Sequence, residues 1–301
     1  MDGADATTAA TSGTAERREW LAELLGRPAE TIVPLGGGTD HAAFAVGDDL
    51  VARFARGGDA EDGEPADVSA EVEREAAVLR VVAVRLPVPT PEVAEVHADR
   101  GLLVTTRVAG ESLLGRDLPS LATADALAEV LAAVHSIEAA AFGGAVGDDD
   151  FPLAAFAEEA KEHLAPVGSR LSAATRRAIA TALGDVPEET ATATFVHNDF
   201  GAEHLFTDAR GELTGVIDWA DAALADPARD LARVLRDFGP GAYRRVVERY
   251  PGGWDDHADA RAWFLARCAA LEDVAFGITT GRDAYADAAL RSLTRLSAVG
   301  A

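Results

Sequence analysis

Apolar residues recur at helical spacing in "AERREWLAELLGRP", at Trp20, Leu21, Leu24 and Leu25, and Gly26 and Pro28 close the run. The small and polar residues before it predict a tail over 1–14 without stable structure. The period then shortens. "TIVPLGGGTDHAAFAVGDDLVARFA" reads as short strands, with turns at Gly36-Gly37-Gly38 and at "GDD". "RGGDAEDGEPAD" reads as a loop, and "SAEVEREAAVLRVVAVR" as a helix with Ser69 at its N-cap, stopped by "LPVPTPEV". "GLLVTTRVAG" is a buried strand running into a connector. From Ser120 the pattern is long and helical, rich in Ala and Leu. It is interrupted by the β-like pieces "ATFVHND", "HLFTD" and "LTGVIDWAD". The change near residue 108 predicts an α+β protein, with a small sheet lobe over 15–108, a larger helical lobe over 109–301, and a cleft between them.

Composition narrows the function classes. Of 301 residues, 48% are hydrophobic and 26% charged, as in ordinary globular proteins, and no apolar run has the ~20 residues a bilayer-spanning helix needs. The start of the chain lacks the pattern of a signal peptide, which makes a cytoplasmic protein with no membrane association the expectation. The single cysteine, Cys268, excludes an intramolecular disulfide and a cysteine zinc cage. A net charge of −24 argues against nucleic acid as a partner. An acidic surface can attract a cationic small molecule, or it can serve solubility alone.

The densest chemistry lies in "HNDFGAEH", residues 197–204. A hydrolase reading finds no G-x-S-x-G elbow and no nucleophile beside His197 and Asp199. A zinc reading has His197, Asp199 and His204 at spacings that fit neither a helical pair nor a familiar loop site. Phosphoryl transfer accounts for more of the chain. It needs a carboxylate to orient the attacking hydroxyl, at least two ligands for divalent metal, and a cation on the phosphates. Asp199 follows an apolar strand and can be the base, His204 lies five residues on where a metal ligand belongs, and Asp218 ends the next apolar strand across a hairpin.

At this point "FVHNDFGAEHLFTD…GELTGVIDWADAALADPARDLARVL" resembles the aminoglycoside and macrolide phosphotransferases, whose usual pattern is H-G-D-x-x-x-x-N, then I-D-W or I-D-F, then D-P-x-x-D-L. The resemblance implies a bilobal protein-kinase-like fold with an antiparallel N-terminal sheet. It implies Asp199 as catalytic base, His204 and Asp218 as metal ligands, and His197 and Asp230 as braces of the loop. In "VEREAAVLRVVAVRLPVPTPEV" Glu75 stands as the ion-pair glutamate, and Arg53 in "LVARFA" as its partner on the nucleotide's phosphates. Gly36, Gly37 and Gly38 would cover the phosphates, and the backbone of Thr105, Thr106 and Arg107 would read the purine. Asp226 and Pro227 would cap the next helix, and His135 is expected to pack rather than react.

Histidine at 204, where aminoglycoside kinases usually carry asparagine, resembles the macrolide group. That implies transfer of the γ-phosphate of GTP or ATP to the 2′-hydroxyl of desosamine, with Mg²⁺ as cofactor and Mn²⁺ tolerated. The partners would be nucleotide and antibiotic alone, and the chain a monomer. Phe238, Tyr243, Trp263 and Phe276 could line a greasy groove for a macrolide, although their helical spacing equally suits a core. "GDDD", "WDDHADA" and "LED" could instead supply carboxylates for a polycationic aminoglycoside. A metabolic small-molecule kinase and a non-catalytic nucleotide-binding module of the same fold remain as alternatives.

Overall fold

In the computed structural model of the chain, the described residues are 3–37, 41–55, 68–118, 120–190, 192–251, 254 and 256–298; the side chains of residues up to 13 and of 36, 37 and 41 lie outside the description. The chain forms two compact units. The first comprises Met1–Arg80 and Pro91–Arg107, and the second Val81–Thr90 and Val108–Ala301. The segment Val81–Thr90, read from sequence as part of the first lobe, belongs to the second. Its Pro89 carbonyl accepts from the Val216 N–H at 3.1 Å, which fixes it to the second unit's sheet.

The first unit is a five-stranded antiparallel sheet in the order β1-β2-β3-β5-β4, with β1 Ile32–Gly37, β2 His41–Val46, β3 Leu50–Ala55, β4 Val93–His97 and β5 Leu102–Thr106. Alternation puts Ala52 and Phe54 of β3 into a core with Leu21, Ile32, Phe44, Val46, Leu102 and Val104, and leaves Arg53 on the opposite face. The helix α1, Gly3–Leu25, lays Trp20, Leu24 and Leu25 against this core. Its backbone extends back to Gly3 through the stretch expected to be an unstructured tail; Ala4, Ala6, Ala9 and Ala10 are strong helix formers and continue the winding. Gly36 and Gly37 are not a turn but the end of β1, paired with Ala43 and Ala42 past an irregularity at Pro34–Gly36. Gly38 lies outside the described residues. The helix α2, Val68–Val82, includes Ser69 within its first turn, where the hydroxyl donates to the Ala98 carbonyl at 3.0 Å rather than capping the helix.

The second unit is mainly helical: α3 Leu121–His135, α4 Leu153–Val167, α5 Ala173–Gly184, α6 Ala228–Arg249, α7 Asp256–Thr280 and α8 Asp283–Ala298. The apolar helix α7 packs against α4, α6 and α8. Two small sheets interrupt the helices. β6 Glu111–Ser112, β8 Leu205–Thr207 and β9 Leu213–Val216 form one in the order β6-β8-β9, and β7 Thr194–Val196 pairs with β10 Ala223–Ala225 in the other. "HNDFGAEH" is the connection from β7 to β8, and Asp218 lies just past β9, so the β8–β9 hairpin brings both ends of the motif together. No described helix is long and apolar enough to cross a membrane.

Candidate active site

The loop after β7 is held by one buried carboxylate. Asp230, in the first turn of α6, accepts from the His197 N–H at 2.9 Å and the Asn198 N–H at 2.8 Å. Its Oδ2 also accepts from His135 Nε2 at 3.0 Å, and His135 Nδ1 in turn meets the Tyr250 hydroxyl at 2.6 Å. Burial, with the nearby Asp230 charge, pushes the Tyr250 phenol up to about 12, so the hydroxyl stays protonated and donates. His135, expected only to pack, is therefore the second layer of the brace.

His197 is fully buried against Trp219, with ring centroids 4.5 Å apart. Its Nε2 donates to the Ile217 carbonyl at 3.0 Å, and its Nδ1 accepts from the Asp199 N–H at 3.3 Å. One ring nitrogen donates and the other accepts, which is the neutral tautomer. Burial lowers its pKa in keeping with that, against the raising effect of Asp230. His197 is thus structural, tying the loop to the residue before Asp218.

Asp199 sits at the centre. Its Oδ2 accepts from His204 Nε2 at 3.0 Å, and its Oδ1 lies 3.3 Å from Arg233 Nη2 on α6. Burial would raise this carboxyl, but the Arg233 charge and the His204 hydrogen bond outweigh it and hold the pKa well below the usual carboxylate range. His204 is affected in the reverse sense: burial lowers it, Asp199 outweighs burial, and its pKa rises to about 9. Arg233 is three residues beyond Asp230 on one helix, so a single element carries both the brace and the cation of the base.

The donor atoms suit a divalent cation. An ionised carboxylate only accepts, so His204 Nε2 carries a proton toward Asp199; with the ring pKa at about 9, Nδ1 is protonated too at neutral pH, facing Asp218 Oδ2 at 3.9 Å, and a divalent cation there would displace that second proton. Adjacent ligands of one octahedral cation at ~2.1 Å each lie ~3.0 Å apart, so the two groups would close by about 1 Å around it. A carboxylate accepting the second ring N–H is the usual partner of a metal-bound histidine. Glu203 joins Asp199 and His204 in a second cluster of possible ligand atoms, but it faces the buried Arg236 guanidinium at 3.1 Å. Both Asn198 and Asp218 have left-handed backbones, with φ of 70° and 63°, a strained state that clusters at functional sites.

A cavity of about 350 Å³ opens beside this loop, lined by Asn198, Arg229 and Arg233, by the rings of Phe151 and Phe156, and by carboxylates of Asp149, Glu159, Asp221 and Glu272. Two of the acidic stretches in the sequence, "GDDD" and "LED", supply Asp149 and Glu272. The third, "WDDHADA", lines a different cavity with Trp263. None of Phe238, Tyr243, Trp263 and Phe276 lines the cavity beside Asn198. Tyr243 is buried, with its hydroxyl donating to Asp259 at 2.7 Å, and Phe276 packs edge-on against Tyr285 with centroids 5.4 Å apart. Of the four only Tyr243 belongs to the interior; Phe238, Trp263 and Phe276 are half-buried. Phe151 and Phe156, which do face the cavity, come from the start of α4 and the turn before it.

In the first unit, Arg53 forms an ion pair with the buried Glu75 of α2. Thr105 is buried at the end of β5, Thr106 accepts from the Glu92 N–H at 2.9 Å, and the Arg107 N–H donates to the Asp49 carbonyl at 2.8 Å. In the second unit, Asp226 bonds the Ala228 N–H at 2.9 Å and Arg261 at 2.6 Å, joining the start of α6 to α7.

Comparison with known proteins agrees with this architecture. The profile described as "Phosphotransferase enzyme family" matches residues 31–264. Viomycin phosphotransferase of Streptomyces vinaceus is 30% identical over 270 residues, which is 81% of this chain and 85% of that one. An uncharacterized protein, YcbJ of Bacillus subtilis strain 168, is 35% identical over 68 residues, 23% of this chain and 21% of its own length. Among solved structures, the GDP complex of an aminoglycoside 2'-phosphotransferase-IIIa aligns at a TM-score of 0.66 with 20% identity, covering 89% of this chain and 92% of that one. A macrolide 2'-phosphotransferase type I aligns at 0.60 with 22% identity, covering 94% and 97%. At these identities the structural likeness concerns the fold.

Proposed function

The chain belongs to the phosphotransferase enzyme family, and within it we propose that it moves the terminal phosphate of GTP or ATP onto a hydroxyl of a cationic antibiotic seated beside Asp199. The observation that carries this reading is the cavity next to the base: its four carboxylates outnumber its two arginines, of which Arg229 pairs with Asp149, and with two aromatic rings they suit an acceptor with ammonium groups on an apolar frame. Asp199 accepts the hydrogen bond of the acceptor hydroxyl and takes its proton as the oxygen bonds to the γ-phosphorus. The bond from phosphorus to the β–γ bridging oxygen breaks, and the nucleoside diphosphate leaves with that electron pair. Because Asp199 is held ionised by the Arg233 charge and the His204 hydrogen bond, its contribution is orientation rather than strong basicity. Alignment of this kind is worth about 7–11 kcal/mol in favourable cases. A divalent cation, Mg²⁺ with Mn²⁺ tolerated, would be held by His204 Nδ1 and Asp218, and when bound it neutralises charge on the phosphates. Arg53, held by Glu75, would meet the phosphates, Gly36, Gly37 and Gly38 would cover them, and the backbone of Thr105 to Arg107 would read the base. Asp230, His197 and His135 keep the loop in register.

Among acceptors, the similarity to a viomycin phosphotransferase and the four carboxylates favour a molecule with several cations, a cyclic peptide or an aminoglycoside. A macrolide accepting at its desosamine 2′-hydroxyl is the second reading, favoured by His204 in the metal-ligand position. Purified protein, incubated with GTP or ATP and Mg²⁺, should phosphorylate at least one of viomycin, kanamycin and erythromycin. Phosphate on erythromycin alone would promote the macrolide reading, and no transfer to any hydroxyl acceptor would remove the kinase reading.

A further inference from the structure

Asn198 has a left-handed backbone with φ 70°, one residue before the base. A side chain there costs free energy that glycine would not. What the side chain holds is unusual. Its Nδ2 donates to Asp149 Oδ2 at 2.9 Å, and its Oδ1 accepts from Arg229 Nη1 at 3.2 Å. Arg229 grips the same Asp149 carboxylate at 2.6 Å and donates to the carbonyls of Asp149 and Phe151 at 3.2 and 3.0 Å. Its guanidinium also lies over the Phe156 ring, 5.2 Å from the centroid.

The segment so held, residues 148–152, is anchored at its start by a parallel bridge of Asp148 to Leu224 of β10, in which the Asp149 N–H donates to the Leu224 carbonyl and the Leu224 N–H to the Gly147 carbonyl, each at 2.9 Å. Beyond it the backbone is irregular, with the Phe151 N–H donating to the Asp149 carboxylate at 3.1 Å. It divides two cavities. One is the cavity of about 350 Å³ beside Asn198; the other, of about 380 Å³, is lined by Asp150, Pro152, Glu189 and Thr190. Asp149, Phe151 and Arg229 face both. The position of this segment therefore sets how much room an acceptor has next to Asp199.

We infer that Asn198 is a specificity-determining positioning residue, tying the Asp149–Phe151 wall of the acceptor cavity to the loop that carries the base. This rests on the cavity being the acceptor site. Any displacement of the wall moves the acceptor's cations relative to a hydroxyl that must meet Asp199, one residue away from the tie. Acceptors that depend on Asp149 or on the ring of Phe151 feel the tie most; nucleotide affinity does not depend on it.

Asn198→Gly keeps the left-handed turn without its cost and removes both side-chain bonds. The expected result is a KM for the acceptor raised about tenfold, as for one lost charge-assisted hydrogen bond, with the nucleotide KM unchanged and the denaturation midpoint equal or higher. In an Asp149→Ser background the same change should raise KM much less, because the carboxylate partner of the tie is gone and only the Arg229 contact is left to lose. Asn198→Ala, which keeps the backbone cost, should match the KM rise with a lower midpoint. Hydrogen exchange reads the tie with no acceptor present: amides of 149–151 should exchange faster in Asn198→Gly while those of α4 do not. Unchanged exchange at 149–151 overturns the tie. Faster exchange with an unchanged acceptor KM, or fully additive effects of the two substitutions, overturns the specificity role. If the wild type transfers phosphate to none of viomycin, kanamycin and erythromycin, the acceptor-site reading and the specificity role fall together, and exchange still decides the tie.

Discussion

At the residue scale, Asp199 and Asp230 serve the same loop, one from within it and one from α6, yet they answer to different tests. Asp199 has its oxygens turned to His204 and Arg233, so removing it leaves the loop's backbone hydrogen bonds intact. Asp199→Ala should lower turnover by about 10²–10⁴, the range for a lost general base, with nucleotide affinity by calorimetry unchanged. Asp218→Ala should instead weaken metal-dependent nucleotide binding in the same titration. Asp230 spends both oxygens on two N–H groups and His135, and Asp230→Ala strands all three in the interior. A loss of about 3–5 kcal/mol in urea denaturation is expected, together with loss of activity. Cys268 reports on the surrounding interior. Burial pushes its thiol up to about 12, and the folded protein therefore resists ionising it. The unfolded thiol ionises at about 8.5 and the folded one does not, so this group subtracts stability as pH rises from about 8.5 toward 12. Melting curves between about pH 8 and 10 should fall more steeply for the wild type than for Cys268→Ala, and a thiol reagent should label Cys268 only on unfolding.

At the element scale, the turn from α7 to α8 shows where helix propensity misleads. A Cβ on Gly277 would lie 2.5 Å from the Ala286 nitrogen and 2.9 Å from the Arg282 carbonyl. Gly277→Ala gains about 1 kcal/mol of propensity but overpacks the α7–α8 contact, at a cost of about 1–3 kcal/mol or more. Chemical denaturation should therefore show net destabilisation, where the same change at an open position such as Gly184 should not. The elements themselves were legible where the apolar pattern was strong: α2 and β3 carry their burial in their spacing, β5 in an unbroken apolar run, and the β8–β9 hairpin follows from two apolar runs around "TDARGE". The motif residues Asp199, His204 and Asp218 were legible because one connection and one hairpin hold them. Arg233 was in reach, at i+3 from Asp230 on a single helix. Phe151, Phe156 and Arg229 were not, because their meeting with Asn198 depends on packing between segments about 30 to 80 residues apart, which no local spacing records. Gly36 and Gly37 misled for the opposite reason: glycine signals a turn, while here the strand simply tolerates it to the last paired residue.

At the scale of the whole molecule, the −24 charge and the carboxylates around one cavity offer two explanations for the acidity, steering of a cationic acceptor or solubility alone. Salt separates them. Screening shortens the reach of the surface field from about 10 Å at 0.1 M salt to about 3 Å at 1 M, while groups in direct contact within the cavity are screened far less. If the acidic surface gathers a polycation, kcat/KM for viomycin or kanamycin should fall several-fold over this range, mainly through KM. A macrolide, with one ammonium, should lose much less, and the KM for nucleotide, an anion approaching an acidic protein, should improve or hold. Substituting Glu159 and Glu272 by Gln tests the contact part: it should raise the polycation's KM even at high salt, where the distant charges are silent. A salt-independent KM that still rises in these variants would confine recognition to the cavity and leave the remaining acidity to solubility.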